Sequence, residues 1–242
     1  MSFSQWAVDC KLKKAVLALV AIVFVLGLVC TTVKAQEVSR SCLWKVSSEK
    51  GTLFLLGSVH LLKPGTHVIS PAAEAAFRQA ETILLEIDLD KAESPEARQL
   101  FRQKALLKGE KLEDKISSTT LSLAVEKAEE MGLSFDRLRS LKPWSLSLSL
   151  SLFKLQTLRF DPKHGVDRYF FDKGKQAGKK VGALETFEYQ LDRLDGLPDR
   201  IQEQLLLQTL GELDYLEEEI GQLVQAWSRG EIEVLAELMQ ES

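Results

Sequence analysis

The sequence has 242 residues, of which 45% are hydrophobic and 27% are charged, and its formal net charge is −4. This length suits one large domain or two small ones, and it exceeds that of a miniprotein held together by disulfides. The ordinary glycine and proline content excludes wholesale disorder and a collagen-like chain. A folded protein with a sizeable core is therefore expected.

The first 35 residues have the pattern of a secretory signal peptide. Lysines between positions 11 and 14 precede an apolar run from Ala15 to Cys30, and Val33-Lys34-Ala35 places small residues at the cleavage position. We therefore predict that residues 1–35 are a signal peptide and that the protein is exported, to the periplasm or the extracellular space. The run is shorter than the roughly 20 residues of a membrane-spanning helix. Membrane contact is expected only if this segment stays uncleaved.

Removal of this segment makes the chain more acidic. It takes four lysines from the 31 basic residues and Asp9 from the 35 acidic ones, which leaves 27 against 34 and a net charge of −7. Such a chain, without a basic stripe, lacks the positive surface that nucleic acids require, so no nucleic-acid partner is expected. Of three cysteines only Cys42 remains, so the exported protein is expected to contain no internal disulfide.

The mature chain begins with a predicted hairpin between Cys42 and His60. The segments CLWKV and TLFLLGSVH are apolar runs, and Glu49-Lys50-Gly51 between them suits a turn. Further elements follow from apolar spacing, capping residues and breakers. Helices are predicted at 71–80, from 94 onwards, at 117–131, 166–177 and 186–194, and strands at 82–89 and 179–184.

The segment after Pro143 is ambiguous. Leu146, Leu148, Leu150 and Leu152 alternate with serines, and this period of two is typical of a strand. Pro143 suits the first position of a helix, and the uninterrupted run is about 15 residues long, which favours a helix. We predict a helix here.

The last 45 residues are predicted to be helical. Apolar residues recur at helical spacing from Ile201 to Trp227, which indicates a long amphipathic helix. Strands separated by helices predict an α/β fold, in which an N-terminal hairpin feeds a mixed, largely parallel core sheet with flanking helices and a helical C-terminal part. We predict that residues 36–242 form a single domain.

Three apolar runs end in, or contain, an ionisable residue: His60, Glu86 and Glu185. Burying Glu86 between Leu85 and Ile87 without a partner would be costly, so its carboxylate must face a cation, a histidine, a metal or water. In α/β sheets the carboxyl ends of the strands form the ligand crevice. We expect the three ionisable groups to collect there.

Each of these residues also has a purely structural interpretation. His60 would be a hydrogen-bonding histidine after a strand, Glu185 an acid favoured beside a helix N-terminus, and Asp167 an aid to starting the next helix. His67 and His164 lie in turn-rich sequence and are expected to be exposed. One histidine and two acids without a fixed spacing are a weak metal signal compared with HExxH.

Longer motifs carry a resemblance to a known family. The chain contains, in this order, LWKV, LFLLGSVHLLKPG, AETILLEIDL, LKPW and HGVDRYFFDKGKQAGKKVGALETFEYQLDRLDGLP. Over nearly all of residues 42–240 it resembles the TraB/GumN family of exported proteins, which is related to the Tiki metalloproteases. The resemblance implies an α/β fold with two GxxH motifs and acidic residues gathered at one site, and divalent-metal peptidase activity as in the animal members.

The family motifs map onto individual positions of this chain. The first GxxH corresponds to Gly57 and His60, the strand glutamate to Glu86, the GxD element to Gly165-Val166-Asp167, and the LET element to Leu184-Glu185-Thr186. The family's second GxxH lies near the C-terminus, and no counterpart precedes Ser242. The resemblance therefore implies that the single domain is incomplete at its C-terminus and lacks half of the site.

Three functions remain open at this point. In the first, His60 and Glu86 hold Mn²⁺, Co²⁺ or Zn²⁺ in a hydrolase that acts on peptide or protein substrates, with Glu86 and Glu185 as the catalytic carboxylates and Glu185 as general base. In the second, the same scaffold is a non-catalytic peptide-binding or regulatory protein. In the third, the chain is an inactive truncated member. The missing second GxxH favours the second function over the first.

Overall fold

The computed structural model describes residues 36–37, 42–66 and 69–241. The predicted signal peptide at residues 1–35, and His67, lie outside the described residues. Within the described ranges, no helix is long and apolar enough to cross a membrane.

The described chain groups into two compact units. The first unit comprises the described residues up to 57 together with 69–80 and 219–241. The second comprises residues 58–66 and 81–218. The assignment of residues 36–242 to a single domain stays a prediction.

The first unit contains an antiparallel sheet of strands β1 (Gln36–Glu37), β2 (Leu43–Ser48) and β3 (Gly51–Leu56). Ser48 pairs with Gly51, so a two-residue turn joins β2 and β3, and the predicted hairpin is confirmed. Helix α1 (Pro71–Gln79) follows, with Pro71 in its first turn and the Ser70 hydroxyl accepting a hydrogen bond from the Ala73 N–H.

The second unit is mainly helical. Its helices are α2 (Leu89–Ala92), α3 (Pro95–Ala105), α4 (Ser118–Glu130), α5 (Phe135–Leu138), α6 (Pro143–Thr157), α7 (Val166–Gln176), α8 (Phe187–Asp195) and α9 (Asp199–Glu212). Short 3₁₀ turns lie at Leu112–Asp114 and Pro162–His164.

Two parallel strands, β4 (Thr82–Leu85) and β5 (Lys180–Ala183), form the sheet of the second unit. Helix α7 packs on one face of this pair. A Cβ atom on Gly174 would lie 3.2 Å from Ile83 and 3.3 Å from Val181, so glycine lets the helix approach the sheet closely. An antiparallel hairpin, a parallel pair and many helices make a mixed α/β fold, as predicted.

The ambiguous serine–leucine segment is a helix, α6, as predicted. Leu146 and Leu150 are one helical turn apart and both are fully buried, next to Leu206 and Leu210 of α9. The buried Ser147 has a hydrogen-bond partner as well, because its hydroxyl lies 2.6 Å from the hydroxyl of Thr209. The core of the second unit therefore lies between α6, α9 and α4.

The prediction of one long C-terminal helix is wrong. The segment contains α9, α10 (Leu216–Arg229) and α11 (Ile232–Glu241). The first break falls where Leu213 is buried in the core and Asp214 lies 2.7 Å from the Lys127 ammonium of α4. The second break is Gly230, whose φ of +65° ends α10 as glycines commonly end helices.

Strand β3 is also shorter than predicted, because it ends at Leu56 and His60 lies in the loop beyond it. Strand β4 ends at Leu85, so Glu86 follows the strand directly and does not interrupt it. The carboxylate of Glu86 is therefore not buried within a sheet.

Candidate functional site

The loop that carries His60 is held by backbone hydrogen bonds to the segment before α7. The Val166 N–H donates to the carbonyl of Val59 at 2.8 Å. Leu62 and Asp161 exchange two backbone hydrogen bonds, of 3.0 and 3.4 Å. The backbone on both sides of His60 is therefore fixed against one segment, and the fold determines where the imidazole lies.

Gly165 lies directly against the backbone of His60. Its φ of −60° is one that any residue adopts, so glycine is not needed here for its backbone freedom. A Cβ atom would overlap the carbonyl oxygen of His60 and would lie 2.6 Å from Oδ1 of Asp167. Glycine is needed because there is no space for a side chain.

Asp167, in the first turn of α7, holds the imidazole of His60. Its Oδ2 lies 3.1 Å from Nδ1 of His60. The Asp167 side chain is only 17% exposed, whereas that of His60 is 51% exposed. The other oxygen, Oδ1, is buried and has no hydrogen-bond partner among the described residues. Among the described residues, the hydrogen-bond partner of the Asp167 carboxylate is therefore His60.

Glu86 faces the other nitrogen of the same ring. Its Oε2 lies 4.0 Å from Nε2 of His60, and its side chain is mostly exposed. The expected approach of His60 and Glu86 is therefore confirmed. The hydrogen bond to Asp167 raises the pKa of His60 above its ordinary value, and the charges of Asp167 and Glu86 raise it further against the lowering effect of partial burial.

Glu185 follows β5 at the same end of the parallel pair. Its backbone N–H donates to the carbonyl of Glu86 at 2.8 Å, so the two glutamates have adjacent backbones. Its carboxylate accepts a hydrogen bond of 3.4 Å from the Gln190 amide. The next residue, Thr186, caps α8 through its hydroxyl. The structure therefore brings the backbone of Glu185 to this end of the strands, and its side chain interacts with α8.

Gly57, the first position of the GxxH motif, belongs to the first unit. Its N–H donates to the carbonyl of Cys42, and its carbonyl accepts from the Trp227 indole N–H, both at 2.8 Å. A Cβ atom here would lie 3.3 Å from the Cβ of Cys42. Gly57 therefore lies at the end of the hairpin, in close contact with Cys42 and Trp227. His164 is exposed, as expected.

The site matches part of what a divalent metal requires. Imidazole nitrogen and carboxylate oxygen are common ligands of Mn²⁺, Co²⁺ and Zn²⁺. Metal-binding histidines usually donate their second ring N–H to a carboxylate, which is the relation of His60 to Asp167. Among the described residues, no group of three or more His, Cys, Asp or Glu side chains could hold a metal. The described residues therefore offer two side chains of the type that metals bind, His60 and Glu86, and not a complete set of ligands.

Sequence reasoning did not recognise Gly165 as a close-packing position. Its only signal was its place in a family motif, because nothing in the spacing of the chain links Val59 to Val166. The sequence indicates Asp167 only as a family position or as a residue that starts a helix. The sequence does not predict its contact with His60, which the structure shows.

The fold and the site together define a class: a mixed α/β protein in which a histidine, oriented by a buried aspartate, faces a glutamate at the end of a parallel strand. The chain belongs to the TraB/PrgY/gumN family, whose family model matches residues 42–242. The predicted family membership is thereby confirmed.

Two curated relatives are similar to part of the chain. They are the uncharacterized protein YbaP of Escherichia coli (strain K12) and that of Shigella flexneri, each 28% identical over 149 residues. The matched segment is 60% of this chain and 53% of each relative, so the chain spans about half the length of the curated relatives it matches. No solved structure matches the chain.

Proposed function

We propose that this protein is an exported, divalent-metal-dependent hydrolase of peptides or proteins, with His60 and Glu86 as metal ligands. One observation carries the proposal: Asp167 binds one nitrogen of the imidazole at 3.1 Å, and the other nitrogen lies 4.0 Å from the Glu86 carboxylate. A structural histidine needs only one of these two partners.

The chain's own residues have separate roles in this proposal. Asp167 accepts a hydrogen bond from Nδ1–H of His60, which leaves Nε2, on the side of Glu86, free to bind a metal. Glu86 contributes negative charge at an exposed position, where a substrate can reach it. A divalent cation held by these two residues would supply Lewis acidity towards a carbonyl group and a water molecule.

Glu185 is the proposed general base. The backbone hydrogen bond to Glu86 supports this role, because it places the start of the Glu185 side chain at the same end of the strands. In the proposal, a change of side-chain rotamer brings the carboxylate to the reacting water molecule. The hydrogen bond that it accepts from Gln190 is long, at 3.4 Å, and so opposes this change only weakly.

The first test measures metal binding directly. Mn²⁺ is titrated into the full chain, with binding followed by electron paramagnetic resonance, and the affinities of His60→Ala and Glu86→Gln are compared with that of the unchanged chain. Each substitution removes one of two ligands, so we expect a loss of at least about tenfold. The matched controls are His164→Ala and Glu129→Gln, which remove an exposed histidine and an exposed glutamate elsewhere. Equal affinities in all five proteins would refute the ligand assignment.

The second test measures turnover. A library of quenched fluorescent peptides is incubated with the full chain and Mn²⁺, Co²⁺ or Zn²⁺. We expect hydrolysis that is abolished by a chelator and by His60→Ala, retained in His164→Ala, and reduced in Glu185→Gln. Hydrolysis that resists both the chelator and His60→Ala would contradict the proposal.

A second candidate function has its own support. Because the described residues supply only two metal ligands, a non-catalytic peptide-binding or regulatory protein on the same scaffold is the alternative. This alternative predicts saturable peptide binding without product formation under all three metals. Isothermal titration together with chromatography of the recovered peptide distinguishes the two functions.

A further inference from the structure

A second feature that could bind a ligand lies on the second unit. It is a groove of about 260 Å³, which we call the arginine groove, and it is lined by Ala92, Ala97, Arg98, Phe101, Arg102 and Phe187. None of these residues has a role in the site around His60.

The segments that follow strands β4 and β5 both contribute residues to the arginine groove. Glu86 is followed by α2, whose last residue, Ala92, lines the groove. Glu185 is followed by the cap of α8, whose first residue, Phe187, also lines it. Ligands of α/β proteins bind at the carboxyl ends of the parallel strands, and both connections start from that end.

The two charged residues that line the groove are both arginines. Arg98 and Arg102 are one helical turn apart on α3, both are exposed, and neither has an ion pair or a side-chain hydrogen bond with any residue the structure describes. Two of the acids near this region already have basic partners. Glu93 pairs with Arg168, and Asp192 pairs with Lys104. Two free guanidinium groups on a net acidic protein are available for an anion.

The rest of the groove is apolar. Phe101 is fixed by an edge-to-face contact with Trp144, with ring centroids 5.8 Å apart. Phe187 stands at the N-terminus of α8, and Ala97 lies in the first turn of α3. Each of these helices also carries a glutamate in its first turn, Glu96 on α3 and Glu188 on α8, which offsets the partial positive charge of the helix N-terminus. The groove therefore combines a cationic part with two phenyl rings.

We infer that the arginine groove binds the C-terminal residue of a peptide, with Arg98 and Arg102 on the terminal carboxylate and Phe101 and Phe187 on an apolar terminal side chain. Guanidinium groups match carboxylates in geometry and form strong charge-assisted hydrogen bonds with them. This inference rests on the proposed function and specifies its substrate class, which is peptides presented by their free C-terminus.

The experiment compares two probes that differ only in the terminal charge. Acetyl-Gly-Phe with a free carboxylate and acetyl-Gly-Phe amide are titrated calorimetrically into the full chain, with a chelator present and no metal. We expect the free acid to bind at least about tenfold more tightly than the amide. Arg98→Gln and Arg102→Gln should each reduce this preference, and the double variant should abolish it.

Matched controls separate the groove from general charge effects. Arg137→Gln removes the same charge from an exposed arginine on α5, outside the groove, and should leave the preference unchanged. His60→Ala should also leave it unchanged, because the groove does not contain His60. Failure of this inference is therefore distinguishable from failure of the proposed metal binding and hydrolysis.

Three results would overturn the inference. The first is equal binding of acid and amide, and the second is a preference that survives in the double variant with an unchanged melting temperature. The third is displacement of the free acid by inorganic phosphate that binds as tightly as the peptide, since the groove would then be a site for phosphate and not for a peptide terminus.

Discussion

Gly165 is packed against the carbonyl oxygen of His60 with no space for a Cβ atom between them. The contact is reinforced by the neighbouring hydrogen bond from Val166 to Val59. Two segments that are distant in the chain thus meet backbone to backbone, and this close approach brings Asp167 within reach of the His60 ring.

The first prediction concerns Gly165→Ala. The added methyl group would overlap backbone atoms that cannot rotate away, so we expect a loss of about 1–3 kcal/mol in the free energy of unfolding. The His60–Asp167 hydrogen bond should be lost as well. Urea denaturation measures the first effect, and the NMR shifts of the His60 ring measure the second.

A matched glycine provides the control for this substitution. Gly221 lies within α10, and a Cβ atom added to it would have no neighbouring atom within 4 Å. Gly221→Ala should therefore stabilise the protein by about 0.5–1 kcal/mol through helix propensity. If both substitutions were neutral, the close packing of Gly165 would not be present in solution.

The second prediction concerns the pKa of His60. The hydrogen bond to Asp167 is the largest cause of its raised pKa, so Asp167→Asn should lower that pKa towards the ordinary value near 6.5. Glu86→Gln should lower it less, because Glu86 acts only through its charge at 4.0 Å. NMR titration of the metal-free protein measures all three values. A larger effect of Glu86→Gln would reverse the assigned order of causes.

The third prediction concerns stability as a function of pH. Because folding raises the pKa of His60, its contribution to stability is complete below the unfolded-state pKa of about 6.5 and is lost as the pH rises through the folded-state value. The stability difference between the metal-free protein and His60→Gln should therefore shrink as the pH rises above 6.5. When both proteins also carry Asp167→Asn, the stability difference caused by His60→Gln should vary less with pH. A difference that grows with pH would contradict the assigned direction.

Local signals predicted much of this fold. Pro143 before a long uninterrupted run was sufficient to identify α6, despite its strand-like alternation. The turn residues Glu49-Lys50-Gly51 between two apolar runs identified the hairpin. The expectation that ionisable residues collect at the carboxyl ends of the strands brought Glu86 and Glu185 together, as the hydrogen bond between their backbones shows, although Glu86 was predicted within its strand and lies just after it.

Contacts between distant segments determined what the sequence did not predict. Strand β3 ends at Leu56, and just beyond it the carbonyl of Gly57 accepts a hydrogen bond from the distant Trp227 side chain. The C-terminal helix is broken where Asp214 meets Lys127 of α4. The pairing of Asp167 with His60 depends on Gly165, whose close contact has no counterpart in local spacing.

The fourth prediction tests the helical form of the serine–leucine segment by comparing two leucines of α6. Leu150 is fully buried in the core, so Leu150→Ala should cost about 2–5 kcal/mol in the free energy of unfolding. Leu152 is 37% exposed, so Leu152→Ala should cost less than about 1 kcal/mol. In a strand, residues two apart share a face, and both substitutions would cost similar amounts. Urea denaturation of the two variants measures the difference, and near-equal losses would contradict the helix and the core built around it.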